Sequence, residues 1–482
     1  MLQRHHKACP QRHDRLAAMN IRGGIRAFGP SHSAIHQGRP LTQPREKGIM
    51  IVFISDLHFV DETAGKHNVD ARAFELFTED LAWFLERRKE IKELKVVLLG
   101  DIFDVLRTEY WFGVQPDERP WSMSPPASGV LEGHVNTVLS NVIKKSQGQL
   151  KALKAGLKVI GEKGTLEPEL IYVPGNHDRL LNLYGSSRSR ARKALGLGAS
   201  QMRFDNFFMD LNHGVLARHG HEFDKYNFEL TEKFDKDDYD AVPIGDPITT
   251  ELISRIPVKV SEKVAKSLPG LTAKERERLK ANFQQLGNVR PFYATIEWLL
   301  YQVEVFPALK QAVEDAIDIT VEEFEELPFV KDWMDRHDRW GDIFDEADKI
   351  QAVFFLLKKF KCLSFSGLME KISRLRLRLA LEDDHIKGAS ELFANLDRDF
   401  RFVIMGHTHE PLQSPIKRGY APDNQEIERV YLNTGTWRRR YHRCVKGNGF
   451  MAWKDMTYVT IYKPGERDND VPVFDTWTGR MS

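Results

Sequence analysis

The chain has 482 residues, 41% of them hydrophobic, with 70 Lys and Arg against 69 Asp and Glu and a formal net charge of +1. That length suits two or three domains, or one large domain carrying an insertion, and so even a balance gives no global electrostatic footprint for nucleic acid or an anionic membrane. Three widely spaced cysteines, Cys9, Cys362 and Cys444, argue against a disulfide framework and for a reducing, cytoplasmic setting, and no apolar run approaches the roughly 20 residues that span a bilayer.

Residues 1–48 are rich in Arg and Lys, opposed only by Asp14 and Glu46, and show no sustained periodicity. They are expected to be a disordered tail or an extension upstream of a natural start at Met50, with an Arg-rich transit peptide as the alternative. The His5-His6 pair within them lacks partners for a metal. From Met50 the pattern alternates. "MIVFIS" is a continuous apolar run, as in a strand buried on both faces. Residues 69–94 place Phe74, Phe77, Leu81, Phe84 and Leu85 at helical spacing. "KVVLLG" predicts the next strand, and a loop bearing Trp111, Phe112 and Trp121 comes after it. That loop is open to stacking on a substrate or packing under a neighbouring segment. A helical region over 129–160 leads to two further strands, "ELIYVPG" and "HGVLARHG". The rhythm predicts an α/β domain over 49–225, resumed over 398–482. Between them, 226–397 read as a helical insertion broken at Pro307 and Pro328, a lid or cap; its apolar run Ala352 to Leu357 reads as a buried helix.

The informative residues stand at the strand ends. "MIVFIS" runs into Asp56 and His58, "KVVLLG" into Asp101 and Asp104, and "ELIYVPG" into Asn176, His177 and Asp178. "GVLAR" runs into His219 and His221, and "FVIMG" into His407 and His409. Each cluster alone is a weak signal, since G-D is a common turn dipeptide and G-N-H-D can be a loop that accepts left-handed backbone. Their conjunction is not weak. Loops beyond the carboxyl ends of strands converge on one site in open α/β sheets, so five sets of metal-ligating side chains can meet despite their separation in sequence.

These five motifs, D-x-H at Asp56/His58, G-D-x-x-D at Gly100 to Asp104, G-N-H-D at Gly175 to Asp178, His219, and G-H-T-H at Gly406 to His409, closely resemble those of the calcineurin-like metallophosphoesterases. The resemblance covers about 49–225 and 398–475. It implies a two-sheet αββα sandwich with a large helical insertion before the last motif. It implies two metals, one held by Asp56, His58, Asp101 and His409 and the other by Asp101, Asn176, His219 and His407, with Asp101 as bridge. The implied activity is hydrolysis of a phosphate ester by in-line attack of a metal-bridging hydroxide. His177 would be phosphate contact or general acid, with Asp178 orienting it. Imidazole, carboxylate and amide donors without thiolate suit Mn, Fe or Zn.

Asp104 is expected as an acceptor fixing a ligand histidine, and His221 as a liner of the phosphate pocket should His219 be the ligand. "NTGTW", ending at Trp437, resembles a turn found after G-H-x-H in many of these enzymes. Of Arg438, Arg439 and Arg440, not all can face one site from an extended segment; Arg438 is the candidate phosphate contact. A small phosphate ester is the expected substrate, with nucleotides and phosphoproteins open. Two rivals remain: a scaffold that has lost turnover, whose mark would be missing ligands, and a nuclease, disfavoured by the even charge balance.

Overall fold

The computed structural model describes residues 48–122, 129–164, 166–229, 239–290, 294–337, 382–396, 400–420, 426–446, 449–463 and 473–480. The His5-His6 pair and the apolar run at 352–357 lie outside the described residues.

Strands β1 (Gly48–Ile54), β2 (Ile91–Leu99) and β3 (Glu167–Val173) pair in parallel. Helix α1 (Ala71–Arg87) joins the first two, and helices α2 (Val130–Lys145) and α3 (Gln147–Gly164) join the second and third. Asp70 caps α1, its side chain accepting from Arg72 N at 2.8 Å. The apolar stripe at Phe74, Phe77, Leu81 and Leu85 is buried against this sheet, each side chain contributing about 1.5–3 kcal/mol. The helix expected as far as Leu94 stops at Arg87. Residues 91–94 instead bond on both sides, Ile91 opposite Gly48 and Glu93 opposite Glu167, and two ladders outweigh a local helical pattern. The helical region over 129–160 is two helices meeting at Ser146, whose Oγ donates to Val142 O at 2.8 Å.

A second sheet contains β4 (Phe207–Asp210), β5 (Val215–Arg218), β7 (Phe402–Met405), β8 (Pro411–Tyr420) and β9 (Glu426–Thr434), in the order β4-β5-β7-β9-β8. The first sheet is completed by β12 (Asp455–Tyr462) and β13 (Val473–Arg480), giving β13-β12-β1-β2-β3. Both mix parallel and antiparallel pairs, and the molecule is of the mixed α/β class. Period-two alternation explains how they pack. Ile51, Phe53, Val97 and Leu99 of the first sheet meet Val215, Ala217, Phe402 and Ile404 of the second, while the intervening residues of the first face its helices.

The described part of 226–397 has a core of its own, including Val260, Phe283, Trp298, Val313 and Trp333. It is not wholly helical. Strand β6 (Val289–Arg290) pairs in parallel with β10 (Arg440–Arg443), which pairs antiparallel with β11 (Phe450–Trp453). Its last described helix, α4 (Glu382–Asn395), packs Leu392 and Phe393 on Val403, Met405 and Tyr431 of the second sheet. The preceding helices end before Pro307 and Pro328, the expected breaks, and each proline opens the next helical segment. Among the described residues no helix is long and apolar enough to cross a membrane.

Candidate metal centre

The loops at the carboxyl ends of β1, β2, β3, β5 and β7 meet. Asp56, His58, Asp101 and His409 present ligand atoms within 4.8 Å of one another, as do Asp101, His219 and His407. Asp101 is common to both groups. Asn176 joins the second, its Oδ1 3.1 Å from His407 Nδ1. His58 Nε2 lies 3.0 Å from His409 Nε2 and 3.5 Å from Asp101 Oδ2, and His219 Nε2 lies 3.2 Å from the same Asp101 oxygen.

The backbone is strained where these side chains converge. Among the described residues six non-glycine residues have positive φ, and five are Asp56 (51°), His58 (42°), Asp101 (54°), His407 (69°) and His409 (64°). Left-handed backbone costs of order 1–3 kcal/mol per residue unless the surroundings over-determine it. Its concentration on these five makes the ligand shell the place where stability is spent. The motif glycines permit the convergence: a Cβ on Gly175 would overlap the Asp101 carboxylate, and one on Gly406 would overlap Ser55 and Asp56.

Outer atoms fix three of the four imidazoles. His58 Nδ1 faces Asp104 Oδ2 at 3.1 Å, His219 Nδ1 donates to Leu99 O at 2.9 Å, and His407 Nε2 faces Asp224 Oδ2 at 2.9 Å. Each bond places the ring proton outside and turns a lone pair inward, the tautomer a metal ligand needs. Asn176 is held likewise, Nδ2 donating to Asn227 Oδ1 at 3.1 Å. His409 differs, because its outer Nδ1 accepts from Arg290 Nη2 at 2.5 Å.

Charge in the shell fits a cation. Burial opposes ionisation of Asp101 and Asp56. The charge of His219 outweighs it at Asp101, and the neighbouring imidazoles of His409 and His58 do so at Asp56, holding both well below the usual carboxylate range. Burial would lower His219, but the Asp101 charge lifts it to about 10, so a proton there plays the part of a positive ion. Asp56 Oδ1 and His219 Nε2 are buried without a hydrogen-bond partner on the chain. Buried polar atoms left in this way are costly, and a cation in each donor group would satisfy the atom belonging to that group. The residues present therefore fit a cation.

A third group, His58, Asp104 and His177, is a bracket. Asp104 accepts from His58 Nδ1 and, at 2.9 Å, from His177 Nδ1. Burial lowers His177, and the charges of Asp104 and Asp101 outweigh it and raise the imidazole above its ordinary value. The expectation that Asp178 orients His177 is corrected here. Asp178 accepts from Ile102 N, Phe103 N and Gly175 N at 3.1, 2.8 and 3.1 Å, clamping the second and third motif loops together. Burial and the Asp101 charge push its carboxyl up to about 7 against those donors.

His219, not His221, joins the Asp101 group. His221 is buried against Phe228 and Tyr239, and burial presses it down to about 3. Trp437 is a core residue: its ring packs on Phe74 and Phe77 and its Nε1 donates to Thr457 O at 2.7 Å. Of the aromatic loop, Trp111 is buried in the main core and Trp121 in the core of the insertion, while Phe112 is half-buried with the Arg255 guanidinium over its ring. Of the three arginines, Arg438 is buried, Arg439 exposed, and Arg440 bonded to Asp455 and Glu410.

Sequence reasoning missed Asp224, Asn227, Arg290 and His385, whose ring lies 5.5 Å from that of His407. Only Asp224 carried a signal, as an acid in the loop that His219 opens. Comparisons with protein-family models, curated proteins and solved structures found no match to this chain.

Proposed function

We propose that the chain is a dinuclear-metal phosphoesterase of the calcineurin-like kind, acting on a small phosphate ester in an αββα frame. The observation that carries this is the meeting of two buried donor groups at Asp101, in the order and at the strand ends that the family's motifs imply. Asp56, His58, Asp101 and His409 would hold one ion, and Asp101, Asn176, His219 and His407 the other, drawn from Mn, Fe or Zn. When bound, two such ions supply Lewis acidity toward phosphate oxygens and a water of low pKa for in-line attack.

The remaining work falls to the chain itself. Asp101 would offset repulsion between the two positive centres, and Asp56 would add the second buried negative charge. His177, held through Nδ1 by Asp104, would keep Nε2 for the substrate and give a proton to the leaving oxygen, a task suited to a ring poised above its ordinary pKa. The two sheets wall the site on the protein side, keeping these charges where they act strongly.

The test is elemental analysis of the purified chain, paired with hydrolysis of a generic phosphomonoester and a generic phosphodiester in added Mn. About two ions per chain and turnover abolished by chelator are expected. Asp101→Asn should reduce turnover about a thousandfold or more and lower metal content; retention of most activity would remove the two-ion arrangement. No metal and no turnover after Mn is supplied would favour a scaffold.

A further inference from the structure

Three arginines converge on one flank of the centre. Arg107, just after the second motif, sets Nε 3.4 Å from Asp104 Oδ2. Arg290 arrives from the insertion through the pairing of β6 with β10, where it stands opposite His442, and reaches His409 Nδ1. Arg438 is 2% exposed, and none of its three guanidinium nitrogens meets an acceptor on the chain. Burial and repulsion from Arg107 hold Arg438 well below the usual guanidinium range, with Arg290 adding to the repulsion. Burial and Arg107 likewise bring Arg290 down to about 10. Asp104 beside Arg107 is already engaged by His58 and His177, and a buried guanidinium such as that of Arg438, with no acceptor for any of its nitrogens, opposes folding unless an anion joins it.

Their placement separates that anion from the reacting phosphate. Arg290 touches His409 on Nδ1, the outer atom, and Arg107 touches Asp104, which lies behind the outer atom of His58. Arg290 and Arg107 therefore approach from behind the outer atoms of the ligand histidines, not from the point where the two donor groups meet.

We infer that Arg107, Arg290 and Arg438 form a second anion subsite holding a non-reacting phosphate, so that the substrate carries two neighbouring phosphate groups. The assignment of the substrate rests on the phosphoesterase reading; the subsite itself does not.

The full chain, as purified and again after chelation, is titrated calorimetrically with inorganic pyrophosphate and with inorganic phosphate. Pyrophosphate should bind the chelated chain at least about tenfold more tightly than phosphate. Arg290→Gln and Arg107→Gln, made separately so that one misfolding variant does not remove the test, should each weaken pyrophosphate binding about tenfold or more. Arg439→Gln, on the exposed face between Arg438 and Arg440, should bind as the unaltered chain does. Equal affinity for the two anions, or folded Arg290 and Arg107 variants that bind pyrophosphate normally, would overturn the subsite. A chain that binds pyrophosphate as expected yet hydrolyses no ester would refute the phosphoesterase and leave the subsite standing.

Discussion

Asp101 joins both donor groups from left-handed backbone, bonds His177 N through Oδ1 at 2.9 Å and faces His58 and His219 through Oδ2. One carboxylate thus sets the spacing of two imidazoles and anchors the backbone of a third histidine. Asp224 is next in consequence, because it turns the Nδ1 lone pair of His407 inward. Asp224→Asn should weaken retention of a cation at the Asp101, His219 and His407 group about 10–100-fold, read by metal content after dialysis against graded chelator; unchanged retention would deny it that role. Glu222 offers a prediction apart from metal. It is fully buried, 3.0 Å from Arg218 Nε and bonded by Tyr239 OH at 2.9 Å. Burial raises its carboxyl, but the Arg218 charge outweighs this and brings it from 4.5 down to about 2. A depressed folded pKa stabilises above the unfolded value, so this contribution, on the order of 3 kcal/mol, is present above about pH 4.5 and lost as pH falls toward 2. Glu222→Gln should lower the urea midpoint at pH 7 and flatten its fall across that window. A variant with an unchanged pH slope would rule the pair out as a source of acid lability.

Among the elements, α1 and β12 are tied together by Trp437, which packs on Phe74 and Phe77 and bonds Thr457 O. Trp437→Ala should cost about 3–5 kcal/mol by chemical denaturation while folded chain keeps its metal; loss of metal at unchanged stability would place the ring in the site after all. The contrast with Arg438, its neighbour, shows what the sequence could convey. Alternation along an extended segment said that the three arginines could not all face the site, and they do not. Which of them would lack an acceptor depended on where Asp455 and Glu410 fall, a matter of tertiary packing. The five motifs were legible because each pairs a buried strand with chemically specific side chains at its end. The end of α1 was not, since Ile91 and Leu94 fit a helix face until two flanking strands claim them. Arg290 was equally hidden, on a strand of only two residues whose partner lies some 150 positions away.

At the scale of the molecule, metal and stability should be linked. A ligand that binds only the folded chain adds about 2.7 kcal/mol at a hundredfold excess over its dissociation constant, and this shell holds Asp56 and Asp101 ionised and close. Chelation should lower the thermal midpoint and Mn restore it; a midpoint indifferent to both would mean that the shell holds no ion. The strand order adds a constraint of time. β1 is made early, but its antiparallel neighbour β12 comes from near the other end, and β7, which leads into His407 and His409, sits between β5 and β9 in the second sheet. A chain still on the ribosome and short of residue 400 has exposed strand edges and no G-H-T-H loop. Such long-range pairing folds slowly and leaves sticky intermediates. The donor groups are then completed only once residue 409 has been made, so a cell that makes this chain must shelter a half-built sheet until that point.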